Sequence, residues 1–130
     1  MHLTVQISPG EFLDKLTILE IKSERIADPA KLANVRRELE LLRATWAASP
    51  LAARDVAGPL ADLKRVNEAL WDIEDHIRRK EAERRFDQDF IELARSVYRT
   101  NDRRAAIKRE LNVLLGSDLV EEKSYTDYER

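Results

Sequence analysis

Residues 8–29, SPGEFLDKLTILEIKSERIADP, decide the fold, because they begin one helix, end it and begin the next. Ser8 and Glu11 are spaced as in a capping box, with Pro9 at the first helical position. We expect Ser8 to accept a hydrogen bond from the third helical amide and Glu11 to reach back to Ser8. The pair Asp28-Pro29 predicts the end of this helix and the N-cap of the next one.

The first helix carries apolar residues on two faces. A predicted core stripe at helical spacing comprises Phe12, Leu16, Leu19 and Ile26. At 100° per residue, Ile18 and Ile21 fall on the opposite side. Such a helix is either central in its domain or buried in a subunit interface. We predict that a homodimer partner, or a packed accessory segment, covers Ile18 and Ile21.

Three more helices follow in the sequence. The second carries a seam of apolar residues spaced three and four apart and ends near Ser49-Pro50; the seam comprises Leu32, Val35, Leu39, Leu42 and Trp46. A loop over 50–59 precedes a third helix from about Leu60 to Glu83. The fourth runs from an N-cap at Asp87 to Leu115, with Gly116 after its end.

The predicted fold is therefore all-α: an antiparallel bundle of about four long helices in a single domain, residues 1–130. Residues 1–8 form a short extended lead-in, since Leu3, Val5 and Ile7 alternate with polar residues, and a lone strand needs a partner. Residues 117–130 form a polar tail that docks or frays.

Composition excludes several function classes. The 23 basic and 25 acidic residues nearly cancel, whereas nucleic-acid binding normally requires a basic surplus. The chain has no cysteine, which excludes disulfides and thiol chemistry. We find neither a signal peptide in residues 1–10 nor a run of about 20 apolar residues, so we expect a cytoplasmic protein without membrane partners.

The apolar stripe of the fourth helix is interrupted by Asn101, Arg104 and Lys108 before Leu111 resumes it. Cations in a dry core cost several kcal/mol each when unpaired. They therefore need carboxylates, a bound anion or water in a cleft, and the three successive polar turns favour a cleft that awaits an anion. Whether this helix is continuous through Thr100-Asn101 is left open.

Other polar residues lie at the core boundary of the first, third and fourth helices. We predict one site with the following members: Glu20, Asn67, Trp71, Glu74, Arg78, Tyr98, Asn101, Arg104 and Lys108. Helix bundles commonly build ligand sites from inward side chains on facing helices. Two alternatives are a charge network that only sets helix register, and the lining of a homodimer interface.

Two functions fit this site. The first is a non-catalytic domain that binds a partner protein or an anionic small molecule such as a phosphorylated sugar or nucleotide, with no cofactor. The second is a small all-α enzyme, for example a metal-dependent hydrolase of phosphorylated substrates, with Glu20 or Glu74 as general base and Arg104 and Lys108 stabilising charge. No metal site is predicted, because the exposed pair Asp72 and His76 is more typical of a surface ion pair.

Several stretches carry a family resemblance. They are residues 7–11 and 14–22, then 67–71 with 73–75, then 96–102 and 121–125. Over nearly the whole length, the chain resembles an uncharacterised bacterial domain family, a domain of unknown function whose members are short, helical and sometimes associated with envelope glycosyltransferases or tetratricopeptide proteins. The resemblance implies an envelope-polysaccharide context and identifies no catalytic residue.

Overall fold

The computed structural model describes residues 1–129, which form four long helices. The other three helices are arranged around the first one. The helices are α1 (Pro9–Arg25), α2 (Pro29–Ala48), α3 (Ala57–Ala82) and α4 (Gln88–Leu114), with a 3₁₀ helix (Pro50–Ala53) after α2. Residues 1–129 contain no strand, so the all-α prediction is confirmed. None of these helices combines the length and apolar character needed to cross a membrane.

The helix α1 is central, because its backbone closely approaches α2, α3 and α4, whereas the backbone of α2 closely approaches only α1 among the other three long helices. Leu13 and Ile21 are each 1% exposed on different faces of α1. Ile21 is therefore buried within one chain, as expected of a helix that is central in its domain, and needs no second subunit to cover it. Ile18 is only half-buried.

The predicted caps form, with one change. Ser8 Oγ accepts from the Glu11 amide at 3.1 Å, and Asp28 accepts from the Lys31 amide at 2.9 Å. The Glu11 carboxylate does not reach back to Ser8 but lies 2.6 Å from Nζ of Lys108. The N-terminus of α1 is thus held against α4 by an ion pair that crosses the fold.

The hydrophobic core lies between α1, α2 and the ends of α3 and α4 that are remote from their connecting turn. Its buried members are Leu13, Leu16, Leu19, Leu39, Val56, Leu63, Leu111 and Leu115. Phe12 stacks on Trp46 at the edge of this cluster, with ring centroids 6.1 Å apart. The α2 seam therefore packs on α1 as its spacing predicts.

The hairpin of α3 and α4 extends beyond this core. The helix α3 begins three residues before the predicted Leu60, and α4 continues through Asn101 without a break. Gly116 has φ of 66°, and the amide of Ser117 donates to the Asn112 carbonyl at 2.9 Å, which closes α4 in a Schellman motif. Between residues 68 and 107 no side chain is fully buried. In the half of the hairpin near its turn, α3 and α4 therefore pack on each other without a further helix to cover them.

Candidate functional site

A buried carboxylate, Asp14, joins three helices. It is 1% exposed on α1 and accepts from Nε of Arg104 on α4 at 2.9 Å and also from Nη2 of the same guanidinium. Asn67 on α3 donates to Asp14 at 2.9 Å and to Thr17 at 3.0 Å. We call these four residues the Asp14 cluster. Its donors satisfy a carboxylate that would be costly to bury alone.

Lys108 forms a second connection between helices. Its side chain is 9% exposed, and Nζ lies 2.6 Å from Glu11 and 2.8 Å from Glu121 of the tail. Burial by itself would lower the pKa of Lys108, but the hydrogen bonds to the two carboxylates outweigh it and raise the pKa above its ordinary value. Lys108 therefore stays charged and binds the tail to the N-terminus of α1.

These contacts correct the sequence-based pairing of the two cations. Glu20 lies 3.6 Å from Lys64 and 4.0 Å from Arg43, away from Arg104 and Lys108. Glu74 forms an exposed pair with Arg78 at 3.2 Å. Because Arg104 and Lys108 already have carboxylate partners, the expectation of unpaired cations in a cleft is wrong.

Asp14 is the residue that sequence reasoning missed. Asp14, Ile18 and Ile21 are spaced i, i+4 and i+7, which places them on one face of α1. The sequence pattern indicated only the apolar residues of this face. The carboxylate of Asp14 at its start could have been predicted to pair with Arg104 or Lys108 of the fourth helix. Arg104 retains a pKa above its ordinary value, chiefly because Asp14 accepts its hydrogen bonds.

A cleft of about 530 Å³ opens next to the Asp14 cluster, between α1, α3 and α4. It is lined by Ile18, Ile21, Asn67, Leu70, Trp71, Glu74, Asp75, Arg78, Asn101 and Arg104. Six of the nine predicted site residues thus meet there, together with both isoleucines assigned to an interface. Glu20, Tyr98 and Lys108 lie elsewhere.

The cleft presents both donors and acceptors around a tryptophan. Nη1 of Arg104 is directed at Oδ1 of Asn101 across 3.5 Å, a weak contact that leaves this nitrogen able to donate again. Outside the lining, the Arg25 guanidinium lies 5.9 Å from the Trp71 ring centroid and 2.6 Å from Asp72. The guanidinium therefore lies over the Trp71 ring, and the carboxylate of Asp72 pairs with Arg25.

Comparison with known families supports the resemblance to a domain family of unknown function. A model described as a family of unknown function, DUF6165, matches residues 3–128. The chain belongs to DUF6165. No curated protein and no solved structure matches it significantly. Among residues 1–129, no three histidine, aspartate or glutamate side chains are grouped so that they could hold a metal ion.

Tyr98 belongs to the surface where the tail of this DUF6165 member docks. Its ring meets that of Tyr128 at 4.7 Å between centroids, and the Tyr128 hydroxyl donates to Asp102. This hydrogen bond raises the pKa of Tyr128 to about 12, so the hydroxyl remains a donor at neutral pH. The described tail residues therefore run back along α4 from Gly116.

Acidification is expected to release the tail before the helices unfold. The hydrogen bond from Lys108 lowers the pKa of Glu121 below its ordinary 4.5. A carboxyl with a lowered pKa stabilises the docked tail at pH above 4.5, and this contribution is lost as pH falls through the lowered value. Backbone relaxation measured by NMR should show residues 119–129 becoming mobile over this range while circular dichroism stays helical.

Two variants test the assignment to Glu121. Glu121→Gln should loosen the tail already at neutral pH, because a neutral amide pairs weakly with Lys108. Glu122→Gln is the matched control, since Glu122 only approaches exposed Arg109 at 3.4 Å. Equal loosening by both variants would show that total tail charge, rather than the contact with Lys108, holds the tail.

Proposed function

We propose that this domain is a non-catalytic binding module whose cleft holds an anionic small molecule, with a phosphorylated sugar as the best fit. The cleft volume of about 530 Å³ lies in the range of small-ligand pockets. The proposal rests chiefly on one observation. A buried carboxylate fixes Arg104 through Nε and Nη2, so that Nη1 remains directed towards the cleft residue Asn101.

The cleft carries two guanidinium groups, Arg78 and Arg104, and two carboxylates, Glu74 and Asp75, a set that can bind a ligand with both phosphate and hydroxyl groups. Asp14 offsets the charge of Arg104, so Arg104 supplies a directed donor and Arg78 supplies the mobile positive charge. The pair between Arg78 and Glu74 has side chains 79% and 47% exposed and is worth little, so Arg78 can turn to a phosphate at small cost. Glu74 is then free to accept from sugar hydroxyls.

The apolar wall completes this match. Trp71 and Leu70 on α3 and Ile18 on α1 line the same cleft, and the less polar face of a sugar ring packs well on such surfaces. A nucleotide base would use the same wall. We place this binding domain in the bacterial cytoplasm, in the envelope-polysaccharide context that the family resemblance implies.

The hydrolase alternative is not supported by the arrangement. Of its four proposed residues, Glu74 and Arg104 line the cleft, whereas Glu20 pairs with Lys64 and Lys108 pairs with Glu11 and Glu121. A general base and both cations, Arg104 and Lys108, therefore do not surround a single position where a substrate could react.

Thermal denaturation with defined probes tests the proposal. The probes are glucose 1-phosphate, glucose, inorganic phosphate and adenosine monophosphate. At a concentration ten times its Kd, a ligand stabilises the fold by about 1.4 kcal/mol, and we expect glucose 1-phosphate to raise Tm most. The Arg78→Gln variant should lose this response without losing basal stability.

Arg65→Gln provides the matched control. Arg65 also lies on α3, is 71% exposed and pairs with the exposed Asp62, much as Arg78 pairs with Glu74, but neither Arg65 nor Asp62 lines the cleft. Its response to glucose 1-phosphate should equal that of the wild type. Absence of a shift with every probe, or equal loss in both variants, contradicts the proposal, and a larger shift with adenosine monophosphate would reassign the ligand to a nucleotide.

A further inference from the structure

Residues 1–7 precede α1 and form no strand pairing with any other segment of residues 1–129. Leu3 is 89%, Val5 70% and Ile7 37% exposed, and no strand forms among residues 1–129. The three apolar side chains alternate with His2, Thr4 and Gln6, which is the pattern of a strand with one apolar face. In the described chain, Leu3 and Val5 are therefore largely uncovered on that face, and Ile7 is partly covered.

The same stretch is uncharged in a chain that is otherwise rich in charge. From Leu3 to Gly10 there is no acidic or basic side chain, although charged residues make up 37% of the sequence. A two-fold interface brings identical residues close together, so charges there would repel each other. An uncharged stretch is therefore suited to contact with its own copy.

An apolar groove lies where this segment joins α1. Its volume is about 170 Å³, and its lining comprises Ile7, Pro9, Phe12, Thr45, Trp46, Ser49 and Leu51. Ile7 thus belongs both to the exposed segment and to the groove. A side chain placed opposite Ile7 would lie at the mouth of this groove.

We propose that two copies of this chain pair through antiparallel contact of residues 2–8, with Val5 opposite Val5 on the two-fold axis. In this register Leu3 of one copy lies opposite Ile7 of the other, next to the groove, and Thr4 lies opposite Gln6 on the polar face. A shift by one residue would place apolar side chains opposite polar ones, so the alternation excludes such shifts. Of the registers that remain, this one places Leu3 next to the groove at Ile7 of the partner copy. A two-stranded ribbon is marginal alone, and the groove supplies the third surface it needs.

The apolar surface of the segment is enough only for a small interface. At 25 cal/mol per Å², full burial of an aliphatic side chain corresponds to roughly 60–120 Å². Leu3, Val5 and the exposed part of Ile7 thus offer roughly 200 Å² of apolar surface per copy, to which the strand edges and the groove add. A standard interface buries about 800 Å² per partner, so we expect a dimer of micromolar rather than nanomolar affinity.

Sedimentation equilibrium of the full chain tests this dimer. Val5→Lys places two ammonium groups face to face and should weaken dimerisation at least 100-fold. Thr4→Lys is the matched control, because it adds the same charge on the polar face opposite Gln6 and should change the Kd little. Both variants should keep wild-type helicity, because residues 1–7 lie outside the helices. A mixture of Val5→Lys and Val5→Glu should recover the dimer.

Cross-linking tests the register, since the chain contains no cysteine. Oxidised Val5→Cys should form a covalent dimer, whereas Leu3→Cys should cross-link only when mixed with Ile7→Cys. A monomeric wild type at high micromolar concentration overturns the proposal. A dimer that tolerates Val5→Lys, or that loses affinity equally with Thr4→Lys, also overturns it, because the interface then lies elsewhere.

Discussion

Replacement of Asp14 by alanine is expected to lower the free energy of unfolding by about 3–5 kcal/mol, because it leaves Arg104 without its buried partner. Asp14 is 1% exposed and receives two of the hydrogen bonds of Arg104, as well as one from Asn67. No buried side-chain polar atom of residues 1–129 lacks a partner, so the substitution would create the first unsatisfied group. Chemical denaturation followed by circular dichroism measures the loss.

Two further variants distinguish the loss of the Asp14–Arg104 ion pair from general effects of mutation on stability. Glu74→Ala removes the partner of Arg78 at an exposed site and should cost no more than about 1 kcal/mol. The double variant Asp14→Leu/Arg104→Met removes both charges and should be more stable than Asp14→Ala alone, since an apolar pair often replaces a buried ion pair without loss. A small effect of Asp14→Ala, or a double variant no more stable than Asp14→Ala, would show that the Asp14 cluster does not stabilise the fold.

Gly10→Ala is expected to separate the N-terminus of α1 from α4. A Cβ at Gly10 would overlap the backbone oxygen of Lys108 and lie 2.8 Å from Oδ1 of Asn112. Backbone cannot move aside as a flexible side chain does, so overpacking should cost about 1–3 kcal/mol. The 2.7 Å hydrogen bond from the Gly10 amide to Asn112 would be strained as well, adding up to about 1.5 kcal/mol if it breaks.

The chain offers a control at another helical glycine. Gly58 lies in the first turn of α3, and a Cβ there meets no atom within 4 Å. Gly58→Ala should therefore be neutral or stabilise the fold by up to about 1 kcal/mol, through the lower conformational entropy of the unfolded chain. Equal midpoints of denaturation for Gly10→Ala and Gly58→Ala would contradict the close approach of α1 and α4.

The sequence alone predicted the helices and most of their ends. Ser8, Asp28 and Asp87 cap helices as their positions indicate, and Gly116 adopts the left-handed conformation that ends α4. These signals are reliable because the cap and the amides it satisfies lie within one turn of each other. The start of α3 was placed three residues late, because Gly58 and Pro59 were read as loop residues although proline is tolerated in a first helical turn.

Six residues of the cleft were also predictable, because helical periodicity determines which side chains share a face of one helix. Periodicity does not determine which face of a neighbouring helix they meet. Only the tertiary structure showed that Asp14, rather than Glu20 or Glu74, pairs with Arg104, and that Ile21 is buried within one chain. Both outcomes follow from the close approach of α1 to α4 at Gly10 and from the central position of α1, which depend on how whole helices pack rather than on local spacing.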